Sequence, residues 1–192
     1  MNQISRVKRI SLCAMCIALC YVLPIAFHSV GLGGALSPMH IPVLLCGLIC
    51  GGGSGLICGI IGPVISSLLS GMPPMVMLVR MIPELMVYGL AAGLSMRWIH
   101  TGKAGLDLYL SLGIAMIAGR IVGGIATAIF YTVTSGVYSV ALWFAGYFAE
   151  SIPGIAVHLI LVPVLVFALI QARLIPIRYP KAENTGVVHE ES

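Results

Sequence analysis

Between Leu36 and Pro74 the chain carries no charged side chain, unless His40 is protonated. The rest of the chain is similar in character, since only 8% of all residues are charged and 59% are hydrophobic. Soluble domains average about 25% charged residues. A chain with so few charges and a mean hydropathy of +1.08 cannot cover a soluble surface, so its solvent must be lipid. We therefore expect an all-α integral membrane protein.

Four apolar runs are long enough to cross a bilayer as helices, because about 20 helical residues span the hydrocarbon core. These runs cover residues 10–30, 75–98, 106–131 and about 144–170. The region between residues 41 and 70 leaves two possibilities open. A glycine-rich break at residues 51–55 interrupts it, so it fits either two short helices or one long helix.

The distribution of basic residues decides between these topologies, because cytoplasmic loops carry an excess of lysine and arginine. With two crossings between residues 41 and 70, eight of the ten lysines and arginines fall on one side of the membrane, and the other two, Arg80 and Arg120, lie inside the spans. With one crossing, the eight would be divided between the two sides. We therefore predict six transmembrane helices with both termini cytoplasmic. The predicted parts are a basic N-terminus at 1–9, a membrane domain at 10–172 and a polar cytoplasmic tail at 173–192.

The second predicted helix, at residues 41–50, is unusually short for a membrane span. Ten helical residues cover only about 15 Å. A segment that short at membrane depth must be sheltered by protein or line a cavity. We expect it to lie inside the bundle.

Four ionisable side chains lie well inside the predicted spans, where each costs roughly 2.5–3.5 kcal/mol unless it is paired or hydrated. The six-helix topology places all four in the outer half or the midplane. One interpretation is two internal ion pairs, Arg80 with Glu84 and Arg120 with Glu150. The other is an outward-facing ligand pocket in which an arginine binds a carboxylate or phosphate. Together with two residues on the same outer side, the candidate substrate-binding residues are Arg80, Glu84, Arg120, Glu150, His40 and Tyr131.

All six cysteines fall in apolar segments of the first third of the chain. Cys13 and Cys16 have the spacing of a metal-ligand pair, but no second pair or histidine lies in a matching aqueous loop. We interpret the cysteines as small packing residues and predict neither a metal site nor a cofactor. His158, deep in the last span, is likewise interpreted as a packing residue.

Several motifs together resemble the substrate-binding (S) component of energy-coupling factor (ECF) vitamin transporters. They are Ala14 and Ala18 in a small-xxx-small pattern, SPMHIPVLLCGLICGG at 37–52, PELMVYGLAAGL at 83–94 and AGRIVGG at 118–124. The resemblance implies a multi-pass protein of a prokaryotic cytoplasmic membrane. Such a subunit captures a vitamin or related micronutrient outside, a pantothenate-like anion being one candidate here, and releases it inward. Release follows docking with a transmembrane coupling (T) subunit and two ATPase subunits.

The same resemblance assigns roles to two further groups of residues. The small-residue face of the first helix, Ala14 and Ala18, is expected to contact the coupling subunit. The outer loops are expected to close over the ligand, although an interfacial aromatic belt also explains Tyr138 and Trp143. The gating residues implied are Gly33, Gly34, Ser37, Pro38, Met39, Met72, Met75, Tyr138 and Trp143.

Two other classes of function remain as alternatives. A self-sufficient secondary transporter or channel needs an ionisable relay through the membrane. The string Gly52-Gly53-Ser54-Gly55 matches the serine motif of rhomboid intramembrane proteases, but its serine falls in the wrong span for that family. The chain has no P-loop sequence, so it does not hydrolyse ATP through one. We expect a protein that is not an enzyme.

Overall fold

The computed structural model describes residues 5–29, 31, 37–133, 139, 143, 145 and 152–175. Within these residues the chain forms six α-helices and no strand. The helices are α1 (Arg6–Ser29), α2 (His40–Cys50), α3 (Gly52–Ser70), α4 (Met75–Trp98), α5 (Ala104–Val133) and α6 (Ile152–Gln171). This confirms the all-α prediction.

Five of these helices are long and apolar enough to cross a membrane, and α2 is the exception. The predicted span at 75–98 coincides with α4. The first helix begins at Arg6, four residues before the predicted start of the span at Ile10, so Arg6, Lys8 and Arg9 lie in its first turn. Only the part of the last predicted span from Ile152 onward lies within the described residues.

The short helix α2 forms the centre of the bundle. Ten of its eleven residues are buried, and α1, α3, α4, α5 and α6 all contact it. A helix that is apolar on every side is covered either by protein or by lipid, and here it is covered by protein. The expectation that protein shelters this segment is therefore confirmed.

Gly51 joins α2 to α3 in a tight reversal. Its backbone angles, φ 96° and ψ 164°, lie in a region that side chains disfavour, so the single linking residue has to be glycine. The reversal folds α2 back against α3. The contact is so close that a Cβ on Gly55 would lie 2.7 Å from the Cα of Gly47. Gly47 of α2 and Gly55 of α3 therefore face each other across a hairpin.

Helix α4 packs into this hairpin through backbone contacts. A Cβ on Gly55 would lie 2.5 Å from the carbonyl oxygen of Gly89, and one on Gly59 would lie 2.5 Å from that of Leu85. A Cβ on Gly89 would in turn overlap the carbonyl group of Gly55. Small residues allow this approach, which is a common way for membrane helices to associate.

Helix α5 runs antiparallel to α4 and has two different faces. On its buried face Gly119 lies against the ring of Tyr88, and Gly123 lies against the carboxylate of Glu84. Its exposed face is a row of isoleucines, as expected for a surface in contact with lipid. These are Ile114, Ile117, Ile121, Ile125 and Ile129.

The helices alternate in direction, so the bundle has two ends. At the end that we call the His40 end, α2, α4 and α6 begin and α1, α3 and α5 finish. The opposite end, the Gly51 end, carries every described lysine and arginine except Arg80 and Arg120. There the buried carboxylate of Asp107 accepts hydrogen bonds from the backbone N–H (2.8 Å) and hydroxyl (2.6 Å) of Thr101. The cytoplasmic orientation of the Gly51 end stays a prediction.

The glycine contacts predict a position-dependent effect of adding one methyl group. Gly89→Ala forces Cβ into the backbone of α3, and such overpacking costs about 1–3 kcal/mol. We expect its unfolding midpoint in detergent to fall by several degrees, measured by circular dichroism. The matched control is Gly113→Ala in α5, where no atom lies within 4 Å of the added Cβ. An equal midpoint for the two variants would contradict the close packing.

Candidate functional site

The first polar contact of the site joins α2 to α4. His40, the first residue of α2, lies with its Nε2 atom 3.5 Å from Oε1 of Glu84. Its other ring nitrogen, Nδ1, donates a hydrogen bond of 3.1 Å to the carbonyl oxygen of Ser37. Ser37 has a φ of 43°, an uncommon value for a residue other than glycine, and this turns its carbonyl toward the imidazole ring.

These contacts require a proton between His40 and Glu84. A carbonyl oxygen only accepts hydrogen bonds, so Nδ1 of His40 must carry a proton. In a neutral imidazole Nε2 is then an acceptor, and it would face a carboxylate that is also an acceptor. The contact is favourable when one proton lies on either Nε2 or the carboxyl group. The pair is thus either an imidazolium with a carboxylate or two neutral groups.

Two further rings surround His40. The ring of Tyr88 meets it edge-on at 5.0 Å between centroids, and the ring of His158 lies 5.7 Å away at a tilt of 40°. His158 is only 3% exposed. Its Nε2 atom is buried and has no hydrogen-bond partner within the described part of the chain. Buried polar atoms are nearly always paired, so this nitrogen is available to a ligand or a water molecule.

Arg120 lies on the buried face of α5, next to the same cluster. Its side chain is 6% exposed, and its backbone carbonyl accepts a hydrogen bond of 3.3 Å from Nε1 of Trp143. The indole of Trp143 also lies directly against Gly124, where no side chain intervenes. Trp143 is therefore packed onto the helix that carries Arg120. Its role as a gating residue stays a prediction.

Arg80 interacts with aromatic rings rather than with Glu84. Its guanidinium carbon lies 5.8 Å from the centroid of Phe130 and 5.7 Å from that of Tyr131, within the range of a cation–π interaction. Among the described residues, the carboxylate of Glu84 contacts the imidazole of His40 and forms no ion pair with Arg80. The Nε–H of Arg80 is buried and finds no acceptor among the same residues. It is a second unsatisfied polar group, on α4, in addition to the Nε2 atom of His158 on α6.

The remaining predicted residues have different positions. Pro38 and Met39 form the buried turn before α2. Met72 and Met75 are exposed, although the hydroxyls of Ser66 and Ser67 donate 2.8 Å hydrogen bonds to the carbonyls of Met72 and Pro73 and so fix the start of this loop. Four predicted residues lie outside the described part of the chain, so the Arg120–Glu150 pair stays a prediction. They are Glu150, Gly33, Gly34 and Tyr138.

Sequence reasoning did not include Tyr88 and His158 in the site. Tyr88 follows Glu84 by four residues, and this spacing places both side chains on one face of α4. The signal for Tyr88 was therefore present in the sequence. No local pattern indicates His158, because the residue that it contacts, His40, lies 118 positions earlier in the chain (158 − 40).

An open groove lies at the same end of the bundle. It runs between the end of α1 and the α3–α4 connection. Its lining residues are Ile25, His28, Ser29, Ser70 and Met72. The groove does not include the His40 cluster, so the chemistry of the site belongs to the buried side chains and not to this surface.

The fold and the site together define a membrane-embedded helical bundle with a buried polar cluster near one end. Residues 8–175 match the family described as the ECF transporter, substrate-specific component. The chain belongs to this family, which confirms the resemblance seen in its motifs. It is therefore a substrate-specific subunit of a transporter. No curated protein and no solved structure matches the chain.

The His40–Glu84 contact predicts a graded response to substitution at position 84. Glu84→Ala leaves the buried imidazole without its partner, which costs about 1–3 kcal/mol. Glu84→Gln keeps an N–H donor for Nε2 and should lose much less stability. Thermal unfolding in detergent measures both, with Met77→Ala on the exposed face of α4 as the control. Unchanged stability of Glu84→Ala would show that the contact does not matter.

Proposed function

We propose that this chain is the high-affinity binding subunit of an ECF-type importer for a vitamin or a related micronutrient. The observation that carries the proposal is the cluster of His40, Glu84 and His158 inside an apolar bundle. Burying these groups is costly unless they are satisfied, and the Nε2 atom of His158 has no partner among the described residues. A ligand that hydrogen-bonds to this atom offsets the cost.

The unsatisfied atoms indicate the chemistry of the ligand. The Nε–H of Arg80 can only donate, and arginine stays charged in proteins, so it favours a ligand with a carboxylate or another strong acceptor. The Nε2 atom of His158 can donate or accept, depending on its tautomer. A small carboxylate that also carries hydroxyl or amide groups fits this set. A pantothenate-like anion is one such compound.

The coupled mechanism is supported by the two faces of α1. Cys16 and Cys20 are buried against the bundle, whereas Ala14 and Ala18 lie on the exposed side of the same helix. Exposed alanines one turn apart leave a shallow surface that another membrane helix can approach closely. In the proposed mechanism this surface docks a transmembrane coupling subunit. Two ATPases bound to that subunit then drive release of the ligand into the cytoplasm of a prokaryotic cell.

One observation favours a second candidate, a self-sufficient proton-coupled transporter. The contact between His40 and Glu84 places two ionisable side chains together inside the bundle, and such groups form proton relays in secondary transporters. This mechanism requires a pH gradient and no ATP. Uptake by the chain alone in vesicles with an imposed pH gradient would favour it over the coupled mechanism.

The structure gives little support to the serine protease alternative. Ser54 lies just after Gly51, whereas His158 contacts His40 at the opposite end of α2. The eleven residues of α2 span roughly 16 Å. A serine and a histidine this far apart cannot act as nucleophile and base, which must lie within hydrogen-bond reach.

Ligand capture is tested by denaturing the protein purified from rich medium and identifying released compounds by mass spectrometry. We expect one vitamin-sized compound per chain in the wild type. Arg120→Ala and His158→Ala should lower its occupancy, because a lost hydrogen bond to a buried or charged group costs about 1–3 kcal/mol. Ile160→Ala, on the exposed side of α6, is the matched control. Equal occupancy in all four proteins would rule out this site.

Docking is tested by substituting the exposed face of α1. Ala14→Trp or Ala18→Trp should block close helix contact and abolish both co-purification of the coupling subunits and uptake. Ligand bound to the isolated chain should stay unchanged, because these side chains point away from the bundle. Ile160→Trp adds the same bulk to an exposed position on α6. Normal uptake with Ala14→Trp, or loss of ligand binding, would contradict the division of roles.

A further inference from the structure

Three cysteines meet near the Gly51 end of the bundle, away from the His40 cluster. They are Cys13 of α1 and Cys46 and Cys50 of α2, and their sulfur atoms all lie within 4.8 Å of one another. The sulfur of Cys46 is 3.7 Å from that of Cys13. Cys46 is fully buried and Cys13 is half-buried. Two consecutive helices thus bring three thiols to one point, although Cys13 and Cys46 are 33 positions apart.

This arrangement fits the geometry of a metal–thiolate site. Metal–sulfur bonds of about 2.3 Å place three ligand sulfurs roughly 4 Å apart when the metal lies between them. Cys46 and Cys13 are 3.7 Å apart and no pair of the three sulfurs is separated by more than 4.8 Å, so small side-chain rotations would bring them to this spacing. Cys46 and Cys50 lie one turn apart on the same face of α2, as is common for pairs of ligands on a helix.

The basic first turns of α1 lie beside one of the three thiols, that of Cys50. The sulfur of Cys50 lies 3.9 Å from the backbone carbonyl of Arg9, so the site adjoins the first turns of α1. The exposed cations Arg6, Lys8 and Arg9 belong to that segment. Nearby positive charge stabilises the thiolate over the thiol. The half-buried Cys13 offers a route by which an ion can enter.

We propose that Cys13, Cys46 and Cys50 form a binding site for a thiophilic d¹⁰ metal ion, Zn²⁺ or Cu⁺. Thiolates are soft ligands that select these ions over Mg²⁺ or Ca²⁺. Each thiol that binds releases its proton to the solvent, and no electron is transferred. The bound ion links α1 to α2 across their antiparallel contact. This inference is independent of the transported substrate, since the site lies near the other end of α2.

The test uses the full-length chain, purified in detergent under a reducing agent and freed of metal. Zn²⁺ and Cu⁺ are titrated separately against a competing chelator, and bound metal is measured by elemental mass spectrometry after desalting. We expect about one ion per chain for at least one metal. Cys13→Ser and Cys50→Ser should each weaken binding by more than about a hundredfold, since even losing a hydrogen-bond partner of a ligand costs about 10–100-fold.

Cys20→Ser is the matched control. Cys20 is also buried on α1, but its sulfur lies 4.0 Å from the carbonyl of Met39, at the other end of α2. Its metal affinity should equal that of the wild type. A second readout is the unfolding midpoint, which a bound ion raises in the wild type and in Cys20→Ser but not in Cys13→Ser.

Each result decides the proposal. No binding of either metal by the wild-type chain means that the thiols serve only as packing residues. Equal binding by wild type, Cys13→Ser and Cys50→Ser places the metal elsewhere. If a serine variant does not fold, blocking the wild-type Cys13 thiol with a maleimide must abolish metal binding, and unaltered binding would overturn the proposal.

Discussion

The close backbone contact among Gly47, Gly55 and Gly89 is the constraint on which the rest of the structure depends. It lets the α2–α3 hairpin and α4 pack with no side chains between them. Because α2 is held this tightly, its first residue, His40, lies inside the bundle rather than at its surface. Glu84 precedes Gly89 by little more than one turn of α4, so the same contact brings its carboxylate to the imidazole. The glycines therefore determine where the polar site can form.

The polar groups of the site are stable in an apolar bundle because each has a specific neighbour. A charged side chain at membrane depth costs several kcal/mol unless it is compensated. Glu84 is compensated by His40, and Arg80 is partly compensated by the rings of Phe130 and Tyr131. One nitrogen each of Arg80 and His158 is left over within the described residues. The bundle thus retains two buried hydrogen-bonding atoms without partners among the described residues, and the proposed ligand would satisfy them.

Sequence reasoning predicted the helices better than the contacts between them. The bounds of α4 follow from the prolines before it and the polar connection after it, and the shelter of α2 follows from its length alone. The contact partners of charged side chains were harder to predict. The i,i+4 spacing on one helix pairs Arg80 with Glu84, whereas in the fold Glu84 contacts His40 of another helix. The same limit applies to the cysteines. The local spacing in the sequence pairs Cys13 with Cys16. In the fold, the sulfur of Cys13 lies beside that of Cys46, which is 33 positions later (46 − 13).

Helix α2 connects the His40 cluster to the cluster of three thiols, and α1 lies against it along its length. Near one end of α2 the sulfur of Cys50 contacts the backbone of Arg9, and near the other the sulfur of Cys20 lies beside Met39, next to His40. A rigid shift of α1 along α2 would therefore disturb the turn that precedes His40. Docking at the exposed alanines of α1 could reach the ligand site by this route without contacting it. An ion bound by Cys13, Cys46 and Cys50 would oppose such a shift, because it joins the two helices at fixed register. This coupling requires that α1 and α2 can move relative to each other. Small thiols at their contact permit such a movement, whereas large interlocked side chains would prevent it.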